Sequence, residues 1–320
     1  MAETKNTTPA IDSAARDRII RKTSMIGIFG NLFLAVLKIS IGFVSGSFAL
    51  VGDGIDSLTD VLTSGIILFT GSIASKPPDI EYPYGHRRAE TIATKTLSFI
   101  IFFAGAQLGL TAIRQLITQA PRDVPSSAAF IAIGISIAGK IFLSRNKYKA
   151  GKKADSSMLI ADAENMRNDI LLSLNVLVGV SFTIVLKMPI LDTITTLLVS
   201  AWILRSAYKI FTETSVELMD GLDSPEIYRK VFTVVKKVKG LSNPHKTRIR
   251  KLNNVYIVDM DIEVDGNLSV IEGHKIAIAA EEEIRSKIDH IYDVNIHIEP
   301  IGNIEKFENF GVTEDLLKKE

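Results

Sequence analysis

Long apolar runs separated by short polar breaks fill the chain from about Ser24 to Phe211, and a different pattern follows. A helix that crosses a bilayer needs roughly 20 mostly apolar residues. Six stretches meet that need: Ser24 to Val44, Phe48 to Ala74, Ile92 to Ile117, Ser127 to Leu143, Leu159 to Leu186 and Pro189 to Ile210. The fourth is the shortest, and the fifth begins polar. From Glu213 to Pro300 the periods become those of a soluble domain. Pro225 to Lys239 predicts an amphipathic helix stopped by Gly240. Thr247 to Leu252 and Val255 to Val264 predict strands joined at Asn253-Asn254, and Val294 to Ile298 a third strand. Between them, Ser269 to Ile288 predicts a helix with Ile276, Ala280 and Ile284 on its apolar side.

Basic residues orient the spans, because short cytoplasmic loops collect Lys and Arg. Arg16, Arg18, Arg21 and Lys22 precede span one; Lys76, Arg87 and Arg88 lie between spans two and three. Arg145, Lys147, Lys149, Lys152 and Lys153 follow span four, a run that also suits anionic headgroups. The opposite loops hold only Arg122 and Lys187. Both termini are therefore expected in the cytoplasm, with the chain multi-pass in a prokaryotic inner or plasma membrane. The fold expected is α-helical and membrane-embedded. It has a cytosolic arm at 1–23, six transmembrane helices at 24–211, a cytoplasmic αββαβ domain of ferredoxin or metallochaperone type at 212–301, and a flexible tail at 302–320.

The formal charge is +1, which favours neither nucleic acid nor any other strongly charged partner. The absence of cysteine excludes disulfides and thiolate ligands, so any bound metal relies on oxygen or imidazole. No glycine-rich phosphate cradle is present, which argues against a nucleotide-driven pump.

Ionisable groups inside spans are costly and mark function. Span two carries Asp53, Asp56 and Asp60; Asp56 and Asp60, four apart, share one helix face. Span five carries Asp162, Glu164, Asn165 and Asp169, and Asn165 and Asp169 repeat the four-residue spacing. Two such helices side by side would offer a four-ligand oxygen cage to a cation. Taken singly, Asp53, Asp162 and Glu164 read as solvated residues near helix ends.

At these residues the sequence resembles the cation diffusion facilitator family, in its manganese-exporting branch. Asp56-Ser57-Leu58-Thr59-Asp60 matches that family's second-span Asp-x-x-x-Asp. Asn165 and Asp169 fall where it places a fifth-span His-x-x-x-Asp or Asp-x-x-x-Asp. Pro77 to Glu90 is similar to its Pro-Pro-Asp-x-x-His-Pro-Tyr-Gly-His loop, and Ile296 to Pro300 to the closing strand of its cytoplasmic domain. The resemblance implies a homodimer in the lipid bilayer, not an enzyme, that expels a divalent cation in exchange for protons. Its transport ligands would be Asp56, Asp60, Asn165 and Asp169.

Asparagine where zinc exporters carry histidine leaves an all-oxygen set, which suits Mn²⁺ first and Fe²⁺ or Zn²⁺ next. Tyr82 replaces the loop's first histidine, so Asp79 and His86 remain as a two-ligand loop site or a turn anchor. His245, Asp261, His274, His297 and Glu299 lie at or near positions where relatives bind regulatory metal, and strands could bring His245, Asp261 and His297 together. Arg88 and Asp220 match an inter-subunit ion pair of the family. A non-transporting membrane sensor or scaffold on the same fold is the alternative in class, although such a protein would usually lose ligands from the quartet. A metal-dependent hydrolase lacks a general base beside an open metal position.

Overall fold

The computed structural model describes residues 13–74, 76–118, 123–154, 156–222, 224–252, 255–303 and 311–317. The arm up to residue 12, Arg122 and the Asn253-Asn254 turn lie outside the described residues. Six long helices come first: α1 (Ser13–Ser45), α2 (Phe48–Ala74), α3 (Arg88–Thr118), α4 (Ser127–Lys153), α5 (Ser157–Leu186) and α6 (Ile190–Leu218). A second set follows: α7 (Glu226–Val235), β1 (Ser242–Leu252), β2 (Val255–Val264), α8 (Val270–Lys287), β3 (Ile291–Pro300) and α9 (Glu314–Leu317). The chain divides into two compact units, Met1–Phe69 with Thr96–Ile210, and Thr70–Lys95 with Phe211–Glu320.

In the first unit, stretches of α1, α3, α4, α5 and α6 are long and apolar enough to cross a membrane. α2 is 27 residues long and carries the three aspartates. Leu50, Leu97, Ile133, Val176, Val180 and Ile203 form the packed interior, while Phe33, Phe43, Phe103, Phe142 and Val185 stand exposed. That distribution is costly in water and natural in lipid, where helices gain by close packing and not by hiding apolar area. Small residues allow the approach: a Cβ on Gly54 would overlap Ile39 of α1, and one on Gly179 would overlap Thr195 of α6. The start of α2 is set by Asp192 of α6. Its carboxylate accepts from Ser47 Oγ at 2.6 Å and from the backbone N–H of Phe48 at 3.0 Å, satisfying a donor that the helix itself leaves open.

Three helices run well beyond what the hydropathy pattern indicates, and α1 already begins at Ser13, inside the arm expected at 1–23. α4 continues past Leu143 to Lys153, so the basic run is helix and not loop. Lys and Arg are good helix formers, and hydropathy registers depth in the membrane rather than backbone conformation. α6 likewise extends past Ile210 to Leu218.

The second unit has the expected αββαβ order. β2 is central, antiparallel to β1 and parallel to β3, with α8 making the crossover. Val231 and Val235 of α7 and Ile284 of α8 meet Val258, Met260, Ile262 and Val264 of β2 in the core. The period-2 alternation of β2 therefore turns Asp259, Asp261 and Glu263 to the opposite face. α8 begins with a capping box: Ser269 accepts from the Glu272 N–H, and the Glu272 carboxylate accepts from the Ser269 N–H at 2.9 Å.

Residues 311–317 do not form the flexible tail expected of them. Thr247 and Val312 exchange backbone hydrogen bonds of 3.1 and 2.8 Å, Leu317 is buried, and its carbonyl accepts from Arg229 Nη2 at 3.0 Å. Gly311 has φ +86°, and a Cβ there would strike the Lys246 backbone. A short segment of this kind carries too little periodicity to be read from sequence.

Candidate functional site

The acidic residues of α2 and α5 converge inside the first unit. Asp60 and Asp169 come within side-chain hydrogen-bonding reach of each other, and Asp56 interacts electrostatically with Asp169. Asp56, Asp60 and Asp169 are all half-buried. Oδ2 of Asp60 and Oδ2 of Asp169 are buried without a hydrogen-bond partner among the described residues. Buried carboxylate oxygens normally find a donor or a cation. One oxygen on each of two helices is thus left for a cation to satisfy. Asn165, one turn before Asp169 on α5, is exposed. The four-residue spacing of each pair, read from the sequence, is what stacks them on one face.

Two lysines complete this polar interior. Lys38 of α1 and Asp53 of α2 form an ion pair at 2.7 Å with both side chains fully buried. Lys38 also donates to Ser57 Oγ at 3.0 Å and to Ser173 Oγ at 3.2 Å, and Ser173 Oγ donates to Asp53 at 2.8 Å. Asp53 is thus an interior lock joining α1, α2 and α5, not the solvated helix-end residue expected. Lys140 of α4, also fully buried, stands 3.4 Å from Asp169 Oδ2. Asp162, near the start of α5 with its side chain 44% exposed, is solvated as expected and pairs with the buried Lys147. Glu164 is exposed, as a solvated residue should be.

Sequence reasoning passed over Lys38 and Lys140, although the signal was there. Each is a lone cation in an apolar run, Ala35-Val36-Leu37-Lys38-Ile39 and Ala138-Gly139-Lys140-Ile141-Phe142, and carboxylates on neighbouring spans were its natural partners.

The second unit holds a separate cluster on the sheet face away from α7 and α8. The register sets His245 of β1 and His297 of β3 on either side of Asp261 in β2, with Glu263 opposite Glu299 in the next row. Ligand atoms of His245, Asp261 and Glu299 lie within 4.8 Å of one another, and all three residues are largely buried. His245 Nδ1 contacts the Asn243 carbonyl at 2.8 Å, which leaves Nε2 facing Glu299 Oε2 at 3.4 Å. His297 is set apart: its side chain is two-thirds exposed and its Nε2 is 3.8 Å from Glu299. The nearby Lys246 Nζ lies 3.3 Å from Asp261 Oδ2 and 3.3 Å from Glu299 Oε1. Lys246 lies within the second register irregularity of β1, between His245 and Arg248, at φ +46°, a backbone setting unusual for a side-chain-bearing residue. His274 is on α8, whose buried side faces the other surface of the sheet.

The remaining candidates make local contacts. Asp79 accepts from the Tyr82 N–H at 2.7 Å with Oδ1 and faces His86 Nε2 at 3.4 Å with Oδ2, closing the turn at Gly85. Arg88 pairs with Asp220 of the same chain. The start of α3 and the end of α6 are neighbours in the second unit. Arg88 Nη1 also donates to the Leu218 carbonyl at 3.2 Å, Thr91 to Glu217 at 2.7 Å and Lys95 to Ser215 at 2.7 Å.

A helical membrane unit with convergent intramembrane carboxylates, joined to an αββαβ domain, is an architecture suited to moving metal cations. The chain belongs to the cation efflux family: residues 24–219 match the cation efflux transmembrane domain, and residues 224–301 the cation efflux protein cytoplasmic domain, a dimerisation module. It is 33% identical to the manganese efflux system protein MneS of Bacillus subtilis (strain 168), over 87% of this chain and 94% of that protein. It is 29% identical to MneP of the same organism, a second manganese efflux system protein, over 90% of this chain and 98% of that one. Among solved structures, the metal-bound C-terminal domain of the CzcD transporter from Thermotoga maritima is 40% identical over 25% of this chain and 93% of that domain, with a TM-score of 0.25.

Proposed function

We propose that the chain exports Mn²⁺ from the cytoplasm in exchange for protons, as a homodimer whose six spans leave both termini inside a prokaryotic plasma membrane. The observation that carries this reading is the meeting of Asp60 and Asp169 with one oxygen of each unpartnered in the membrane interior. Asp56 and the amide oxygen of Asn165 complete the ligand set. Counting Asp53 as well, four carboxylates share this interior with two lysines, and a divalent cation would offset the negative charge left when all four are ionised. Ligands of oxygen alone suit a hard ion, and the first-row affinity order would otherwise let zinc displace manganese. Two relatives bear the name of manganese efflux systems, which agrees. Open to the cytoplasm, the carboxylates take up the ion; open to the outside, protons compete for the same oxygens and release it. Zn²⁺ and Fe²⁺ are the next substrates by ligand type.

The test is Mn²⁺ flux into proteoliposomes of the purified full chain under an imposed pH gradient. The wild type accumulates Mn²⁺ only with the gradient, and Asp60→Ala abolishes accumulation. Undiminished flux through Asp60→Ala would remove the site from the account.

The sheet cluster supports a second, non-transport metal site formed by His245, Asp261 and Glu299, with Lys246 holding the carboxylates until metal arrives. Glu299 Oε2 is buried without a hydrogen-bond partner, as a latent ligand would be. Metal titration of the Asp60→Ala protein tests this, since binding that Asp261→Asn fails to diminish would place the metal elsewhere.

A further inference from the structure

Two lysines are fully buried in the membrane unit, and they are not equivalent. Lys38 is saturated: it pairs with Asp53 and donates to Ser57, Ser173 and the Asp53 carbonyl, at distances from 2.7 to 3.4 Å. It is a structural lock. Lys140 has no hydrogen-bond partner among the described residues, although its ammonium carries three donors. Its neighbour is Asp169 Oδ2 at 3.4 Å, itself an orphan, and it also interacts with the charges of Asp53, Asp60 and Asp56. A buried ammonium is tolerated only where surrounding charge compensates it. Here the compensation comes from the same carboxylates that are proposed to hold the transported ion.

We propose that Lys140 is the resident counter-cation of the transport site, resting against Asp169 while no metal is bound and yielding that oxygen to the incoming ion. The inference rests on Asp60 and Asp169 being transport ligands. Its consequence is kinetic as well as electrostatic. With metal bound, the ammonium stays within a few ångströms and repels it, so binding is weaker than three bare carboxylates would give and release is faster. A second consequence concerns charge selectivity. A monovalent ion would gain no more from Asp169 than the tethered ammonium already supplies, whereas a divalent ion gains about twice as much. Lys140 acts through Asp169 and is therefore a positioning residue; it is not itself a ligand, because an ammonium has no lone pair to offer.

The experiment measures initial rates of Mn²⁺ transport against Mn²⁺ concentration in proteoliposomes of the full chain, for wild type, Lys140→Met and Lys140→Arg. Lys140→Met is expected to lower KM roughly tenfold or more and to lower kcat with it, because tighter binding slows release. Lys140→Arg, which keeps the charge, is expected to restore both toward wild type. A Lys140→Met protein with unchanged KM and kcat, or with KM raised, would overturn the proposal. If that variant does not fold, Lys140→Gln takes its place in a calorimetric Mn²⁺ titration of monodisperse protein, where tighter binding than wild type is expected and unchanged or weaker binding would overturn the proposal. Asp60→Ala run alongside separates the two ideas. Its failure to abolish transport counts against the site, whereas an inert Lys140 beside an essential Asp60 counts against the lysine alone.

Discussion

The Lys38 ammonium stands 2.7 Å from the Asp53 carboxylate with neither side chain exposed to solvent. Removing one partner strands the other charge in the interior, a loss that costs about 3–5 kcal/mol. Lys38→Met and Asp53→Leu should each lower thermal stability in detergent sharply. The double variant should recover much of the loss, because no stranded charge remains. A double variant as unstable as the sum of the singles would mean that the pair does not act as a unit.

Asn165 lies where zinc exporters of this kind carry histidine. Asn165→His adds an imidazole to three carboxylates and should raise the ratio of Zn²⁺ to Mn²⁺ transport by roughly tenfold or more. Competition between the two ions in the proteoliposome assay reads this directly. An unchanged ratio would remove the ligand-type explanation of selectivity, and the exposed setting of Asn165 makes this the most vulnerable of the four positions.

Lys246 bridges Asp261 and Glu299 at 3.3 Å on each side. In an Asp60→Ala background, Lys246→Met should tighten metal binding at the sheet cluster by roughly tenfold, since the ion no longer displaces a charge. Calorimetric titration with Zn²⁺ and Mn²⁺ measures it. Equal affinities with and without Lys246 would show that the ammonium does not guard the cluster.

Glu272 offers a pH-dependent check on α8. Hydrogen bonds from the Ser269 side chain and backbone N–H hold its carboxyl below the usual carboxylate range. A carboxylate lowered in the folded state contributes stability above its unfolded value, and that contribution is lost as pH falls through the lower folded value. Ser269→Ala should therefore move the Glu272 titration upward, toward an ordinary glutamate, as followed by ¹³C NMR of labelled full chain. No movement would mean that the capping box does not persist in solution.

How much of this was legible in the sequence depends on what each feature leaves in the pattern. Span two was read to the residue at Phe48 and Ala74, and β2 at Val255 and Val264, because turn residues bracket sharply periodic stretches. The two four-residue spacings marked the ligand-bearing faces of α2 and α5, whereas the meeting of Asp60 with Asp169 depends on how those helices pack. The extension of α4 was not legible, since its last turns are polar and hydropathy cannot separate a wet helix from a loop. Nor was the tail segment at Val312, whose pairing with Thr247 depends on a contact made across the domain. Lys38 and Lys140 were visible as single letters. Their partners lie 15 and 29 residues away in sequence, on other helices, so pairing them requires the three-dimensional arrangement.

One measurement bears on the ligands themselves. Crystals of the full chain grown with Mn²⁺, with data collected at the manganese absorption edge, locate the ion without reference to transport. The account predicts an anomalous peak in the membrane domain, in contact with oxygens of Asp56, Asp60 and Asp169. A map with manganese only at His245, Asp261 and Glu299, and none between α2 and α5, would contradict it.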